Sequence, residues 1–220
     1  DFLLPLFGFV ATFTIFFGNL AACSQRNLKR MLGLSGVAHA GYLMVAVMAS
    51  MILPGSSDRA VWILFFYLFT YLLASFAVFG VMGMAKVSDD AAHEFSDYEN
   101  LAKKKPWAGF TLVVGIGSLA GIPPLAGFIG KLLLFSVAFE TKLYFSLVAM
   151  VIGVVISIYY YFGWIREICF QPRPVFEDDE PGHDPWAGGE GFGLLKAVML
   201  SLVFASIFLG LWQGPLGDAF

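Results

Sequence analysis

Charge is scarce in this chain: 13 Lys and Arg and 16 Asp and Glu stand among 220 residues, 13% of the total, against 59% hydrophobic residues. With a mean hydropathy of +0.79, that scarcity excludes a soluble globular domain and identifies a polytopic membrane protein. No basic stripe of the kind that binds nucleic acid interrupts the sequence, and the formal charge of −3 says little because both signs collect in loops. Cysteine is limited to Cys23 and Cys169, far apart and each at the end of an apolar segment. That excludes a disulfide framework and a metal-type spacing, and both are read as packing residues. A basic leader and cleavage site are also lacking, so no signal peptide is expected; a chain beginning with Asp1 rather than Met is expected to be a fragment or a processed product. What is abundant is Phe and Gly, 24 of each, as expected where lipid-facing aromatics alternate with close helix contacts.

The apolar runs predict an all-α transmembrane domain over 1–220 with six spans, at about 2–24, 31–53, 60–85, 107–139, 143–164 and 192–212. Polar loops are expected at 86–106 and 166–191, the first with a short surface helix around 96–104, the second Pro-rich, acidic, irregular and solvated. Arg26, Lys29, Arg30, Lys86, Lys103, Lys104, Lys105, Arg166 and Arg173 fall in alternate loops, whereas the opposite loops hold Arg59 and Lys142. The positive-inside rule then puts the richer side in the cytoplasm and both chain ends outside. No internal repeat is visible within the six spans.

The fourth span organises the rest. From Trp107 to Phe139 its only charge is Lys131. As one straight helix it would be roughly 48 Å long, against a hydrocarbon core of roughly 30 Å. Pro123 and Pro124 remove two backbone donors and push Ile122 out of helical geometry, so the segment reads as helix, interruption, helix. A break of this kind is either a packing kink or the discontinuous helix of an ion or substrate site. An ammonium in mid-membrane is costly, by at least about 2.5–3.5 kcal/mol, and is rarely retained without a role. Snorkelling is the alternative, but the nearer end of the span lies roughly 12 Å away. Gly127 and Pro124, one and two turns earlier on the same face, leave room for water beside the amine. Lys131 is therefore the first candidate for a proton-relay residue.

His39 is the second. It lies well inside the second span within SGVAHAGY, with Ser35 one turn before and Tyr42 one turn after on its face. It is either a buried histidine bonded to a neighbouring helix or a relay able to pass a proton in either direction. Ser35, Tyr42, Asn19 and Ser118 are secondary candidates, as water-ordering groups or as helix–helix contacts.

The strings GNLAACSQRNLKRMLGLSGVAHAGYLMVAV, SLAGIPPLAGFIGKLLLFSVAF and ISIYYYFGWIREICF, in that order, closely resemble the C-terminal half of the subunit N family of proton-pumping NADH:quinone oxidoreductase, respiratory complex I. The resemblance implies an antiporter-like fold of fourteen helices, of which this chain carries six. By resemblance, Lys131 matches the lysine of the C-terminal broken helix, on the outer half-channel, and His39 the histidine on the hydrated axis between half-channels. Tyr159 to Tyr161 and Arg166 match the following helix, with structural roles. The family's N-terminal half, with its own glutamate and lysine, is not in this sequence. Related cation/proton antiporters share the fold, some with glutamate at the position of Lys131; the lysine and the string IPPLAGF favour subunit N. The implied function is proton translocation in a bacterial cytoplasmic membrane, beside other membrane-arm subunits and lipid. NADH, FMN, iron–sulfur clusters and quinone would bind other subunits, leaving this chain without cofactor or metal. A structural scaffold of the membrane arm and a cation/proton antiporter subunit are the alternatives.

Overall fold

The computed structural model describes residues 2–52, 57–84, 93–170 and 192–212. They form a helical bundle: α1 (Leu3–Cys23), α2 (Leu28–Ile52), α3 (Ser57–Met84), α4 (Leu101–Lys104), α5 (Pro106–Ala120), α6 (Ala126–Glu140), α7 (Tyr144–Phe170) and α8 (Phe192–Leu211). Five of these are long and apolar enough to cross a membrane, and α5 and α6, 15 residues each, make up the interrupted sixth. The predicted spans are thus present, with shifted ends. α2 begins at Leu28 because the Asn27 side chain accepts the Arg30 N–H at 3.1 Å and caps it. Helix α3 starts at Ser57, and residues 53–56 before it lie outside the described residues.

Two expectations about the loops need correction. α7 continues past Trp164 to Phe170, so the polar loop cannot begin at 166. Its last turns are held by the 93–104 segment: the Asn100 N–H donates to the Glu167 carbonyl at 3.1 Å, and Phe95 stacks on Trp164 at 4.1 Å. That segment is helical in part, as expected, but its apolar face packs into the bundle rather than lying on the surface. After a 3-10 turn at Phe95–Tyr98 and the short α4, Tyr98 and Leu101 are each about 1% exposed, and the Leu28 N–H donates to the His93 carbonyl at 2.7 Å. Burial, with Asp97 adding, pushes the Tyr98 hydroxyl above the usual phenol range. It remains protonated against His93 Nδ1, 2.6 Å away. Residues 85–92 and 171–191, the remainder of both loops, lie outside the described residues.

Two large apolar clusters make up most of the described core, with a smaller third of Ala77, Val114, Leu125 and Val203. Near the loop end, Leu28, Leu32, Val78, Leu112, Tyr98 and Trp164 pack together; toward the other end, Ile15, Val45, Ile63, Leu134, Val137 and Met150 do so. On α2 the stretch between the two clusters carries Ser35 and His39, and on α3 Thr70 lies between them, flanked by Tyr67 of the second cluster and Tyr71 packed against the first. A polar layer lies at that level, between apolar clusters. Keeping buried polar groups at one depth lets them satisfy one another, since a lone one in an apolar core would cost on the order of 1–3 kcal/mol.

The break between α5 and α6 sits in this layer, at Pro123 and Pro124 as the sequence predicts, with Gly121 closing α5 before them. Gly121, at φ +84°, ends α5: its N–H donates to Ser118 and the Ile122 N–H reaches back to Gly117 at 2.9 Å, the closing pattern that needs a left-handed residue. Pro123 and Pro124 follow, in the connector, where they prevent α5 from resuming. The turn at Thr141 and Lys142 after α6 closes in the same way, with the Leu143 N–H donating to Ala138 at 2.9 Å.

Candidate functional site

Breaking a helix inside a membrane leaves carbonyls without partners on one side and N–H groups on the other. Here each half supplies what the other lacks. Lys131, from the second turn of α6, turns its Nζ back to the last turn of α5 and donates to the Leu119 and Ala120 carbonyls, both at 2.8 Å. Ser118, from α5, accepts the N–H of Gly127 in the first turn of α6 at 3.2 Å. The ammonium thus sits where the α5 dipole is negative. Lys131 is 4% exposed and does not snorkel. The face of Tyr42 lies 5.9 Å from Nζ.

His39, 5% exposed, comes from α2. Its Nδ1 meets the Tyr67 hydroxyl at 2.6 Å, its ring lies 4.7 Å from Tyr71, and Tyr42 approaches edge-on at 5.8 Å. His39, Lys131, Tyr67, Thr70, Tyr71 and Ser118 line one small cavity of about 10 Å³. That is the lower bound for a single water, ~10–15 Å³. The two residues singled out from the sequence therefore line the same small cavity.

The secondary candidates divide. Tyr42 belongs to the site: its hydroxyl is buried beside Asn19 but completes no hydrogen bond of normal geometry. Asn19 is held by its own helix, donating to the Ile15 carbonyl at 2.8 Å, and accepts from the Tyr160 hydroxyl at 3.1 Å. Ser35 is hydrogen-bonded to Tyr161 on α7. Ser118, besides capping α6, accepts from Ser206 of α8 at 3.1 Å, so its contacts join three helices. Within the tyrosine run the faces separate: Tyr160 and Tyr161 are buried, whereas Tyr159 is 76% exposed.

Sequence reasoning missed Tyr67, Thr70 and Tyr71. Their spacing of three and four residues places three hydroxyl-bearing side chains on one face of α3, which is the signal available in the sequence. Tyr67→Phe should cost about 1–3 kcal/mol by leaving His39 Nδ1 buried and unpaired. The check is the thermal midpoint of the detergent-solubilised protein; an unchanged midpoint would mean that water takes the place of the hydroxyl. Among the described residues, no group of three His, Cys, Asp or Glu side chains is arranged to hold a metal.

A bundle with a discontinuous helix, its broken ends cross-capped by a buried lysine beside a buried histidine, is a multi-pass membrane protein built around an interrupted span. Residues 1–157 match the family described as NADH:quinone oxidoreductase/Mrp antiporter, TM, and the chain belongs to that family. It is 47% identical over 216 residues to NADH-quinone oxidoreductase subunit N 1 of Opitutus terrae, covering 97% of this chain and 41% of that relative. With subunit N 2 of Solidesulfovibrio magneticus it shares 41% over 201 residues, 91% of this chain and 39% of that one. The chain spans about two-fifths of the length of these relatives. A chain of respiratory complex I from Thermus thermophilus, solved with bound aureothin, superposes with a TM-score of 0.78 at 28% identity, over 96% of this chain and 44% of that one. The Mrp complex from Dietzia sp. superposes at 0.77 with 22% identity, over 98% and 45%, and shows the shared fold alone.

Proposed function

We propose that this chain is a proton-translocating part of the membrane arm of a proton-pumping NADH:quinone oxidoreductase, corresponding to the C-terminal half of subunit N. Its partners are the other membrane-arm subunits, above all antiporter-like neighbours; NADH, FMN, iron–sulfur clusters and quinone are bound elsewhere in the complex. The observation that carries the mechanism is the shared cavity of Lys131 and His39. With Nδ1 engaged by Tyr67, His39 exchanges protons through Nε2. Lys131 uses two N–H bonds on the α5 carbonyls. A neutral amine keeps both of those and has a lone pair left over, and a charged one turns a third N–H toward the cavity. The two-carbonyl seat therefore suits both protonation states. A proton passed from His39 through a cavity water to Lys131 leaves for the outer side when charge changes in neighbouring subunits displace it, and the pair titrates as a unit.

The proposed orientation rests on one observation and one rule. Arg26, Lys29, Arg30, Lys103, Lys104, Lys105 and Arg166 gather at the end of the bundle where the 93–104 segment packs on α2 and α7, and the opposite end carries the Arg59–Glu140 pair, at 3.1 Å, and Lys142. The positive-inside rule makes the first end cytoplasmic and puts both ends of the chain on the outer side.

The test is the company the chain keeps. Tagged in its native membrane, it should purify with NADH:quinone reductase activity, and inside-out vesicles should acidify when NADH is added. Purification with sodium-dependent proton exchange and without NADH oxidation would assign it to an antiporter instead.

A further inference from the structure

An open groove of about 730 Å³ runs along α7 at the loop end of the bundle, and nothing in the proton path uses it. Arg26 and Arg166 stand on its rim. Its wall descends into the span along Tyr159 and Phe162, 76% and 50% exposed, with Phe170 72% exposed at the mouth. The arginines are not needed for the fold. The last carbonyls of α1 are already met by the Ser24 hydroxyl, at 2.9 Å on Ala21, and by the Gln25 N–H, at 3.1 Å on Ala22. Among the described residues neither guanidinium has an ion-pair or hydrogen-bond partner.

We propose that this groove binds one anionic phospholipid, its phosphate held between Arg26 and Arg166 and an acyl chain lying along Tyr159 and Phe162. A guanidinium offers the paired donors that match phosphate oxygens. Basic clefts between spanning helices at the cytoplasmic face select anionic headgroups. The choice of a lipid over a free anion follows from the wall: an aromatic surface that continues from the basic rim into the depth of the span suits one molecule carrying both a phosphate and a hydrocarbon chain. The lipid site rests on the proposed orientation of this end of the bundle but on no proton step, so failure of the proton relay would leave it standing.

The experiment is native mass spectrometry of the delipidated, purified assembly that carries this chain, titrated with phosphatidylglycerol or with phosphatidylcholine. One phosphatidylglycerol should be retained in preference. The double variant Arg26→Gln/Arg166→Gln should weaken its retention roughly thirtyfold. Arg30→Gln, at the start of α2 and off the groove, should not change it. Equal retention of both lipids, wild-type retention by the double variant, or displacement by excess inorganic phosphate would overturn the proposal. Should the double variant fail to assemble, a photo-crosslinker placed at Phe162 in the otherwise unchanged chain decides: capture of phosphatidylglycerol supports the lipid, and capture of a protein neighbour refutes it.

Discussion

Lys131→Arg is expected to leave the complex assembled and to lower NADH-driven acidification of inside-out vesicles roughly a hundredfold, the lower end of what a positioned proton-transfer group contributes. A guanidinium can still donate to the Leu119 and Ala120 carbonyls, which lose a side-chain donor if Lys131 is removed. It cannot release its proton. The substitution therefore separates capping from titration. Lys131→Ala should give the same loss of pumping with a modest loss of assembly, because the space left by the side chain adjoins the cavity and lets water reach the carbonyls. Lys131→Met fills that space with apolar atoms, leaves two buried acceptors unsatisfied at about 1–3 kcal/mol each, and should assemble least. A native gel beside the pumping assay reads both effects. If the arginine variant pumps like the wild type, Lys131 is a helix cap and no relay. If all three assemble equally, the carbonyls find other partners, and the cross-capped break matters less than its geometry suggests.

Why Lys131 and His39 stood out in the sequence, and Tyr67, Thr70 and Tyr71 did not, follows from the contrast each makes with its surroundings. One charge in a span without another is visible at once, because its burial cost demands a reason. A tyrosine in FFYLFTYLLASF is not. Phe65, Phe69 and Phe76 of the same helix are more than half exposed, as lipid-facing aromatics should be, and only the facing helices decide that Tyr67 turns inward to His39. The break at Pro123 and Pro124 was legible for a related reason, but the part that Gly121 plays in it was not. Two prolines are conspicuous, whereas the glycine two residues earlier is one of 24, and its left-handed conformation is known only once the backbone is placed. The end of α7 was misjudged because Arg166 and Glu167 look like the start of a polar loop. Glu167 is in fact buried, beneath a segment some seventy residues earlier in the chain whose carbonyl and N–H bonds no local pattern announces. Spans are written in composition; the polar layer is written in which faces meet.

Gly127→Val should abolish accumulation of the assembled complex, a larger effect than any change at the polar side chains. Gly127 lies in the first turn of α6, four residues before Lys131 and on the same face. A Cβ there would run into the backbone carbonyl of Ser118, with its Oγ next at 3.0 Å. A flexible neighbour could turn aside, but a carbonyl within α5 moves only with its helix. The two halves of the broken span must then separate, which parts the Ser118 Oγ from the Gly127 N–H and draws Lys131 Nζ off the Leu119 and Ala120 carbonyls together. Overpacking alone costs about 1–3 kcal/mol, occasionally more. The three lost hydrogen bonds add on the order of 1 kcal/mol each, so the total approaches the whole stability of a typical domain, roughly 5–15 kcal/mol. Gly127→Ala should show the same defect in milder, temperature-sensitive form. Gly33→Ala is the control: a Cβ there meets nothing within 4 Å, and exchanging glycine for alanine inside a helix is stabilising by roughly 0.5–1 kcal/mol. Immunoblots of native gels from cells grown at two temperatures make the comparison. Wild-type levels of a pumping Gly127→Val complex would show that α5 and α6 slide past one another without loss, and that the close contact between them is not what seats the lysine.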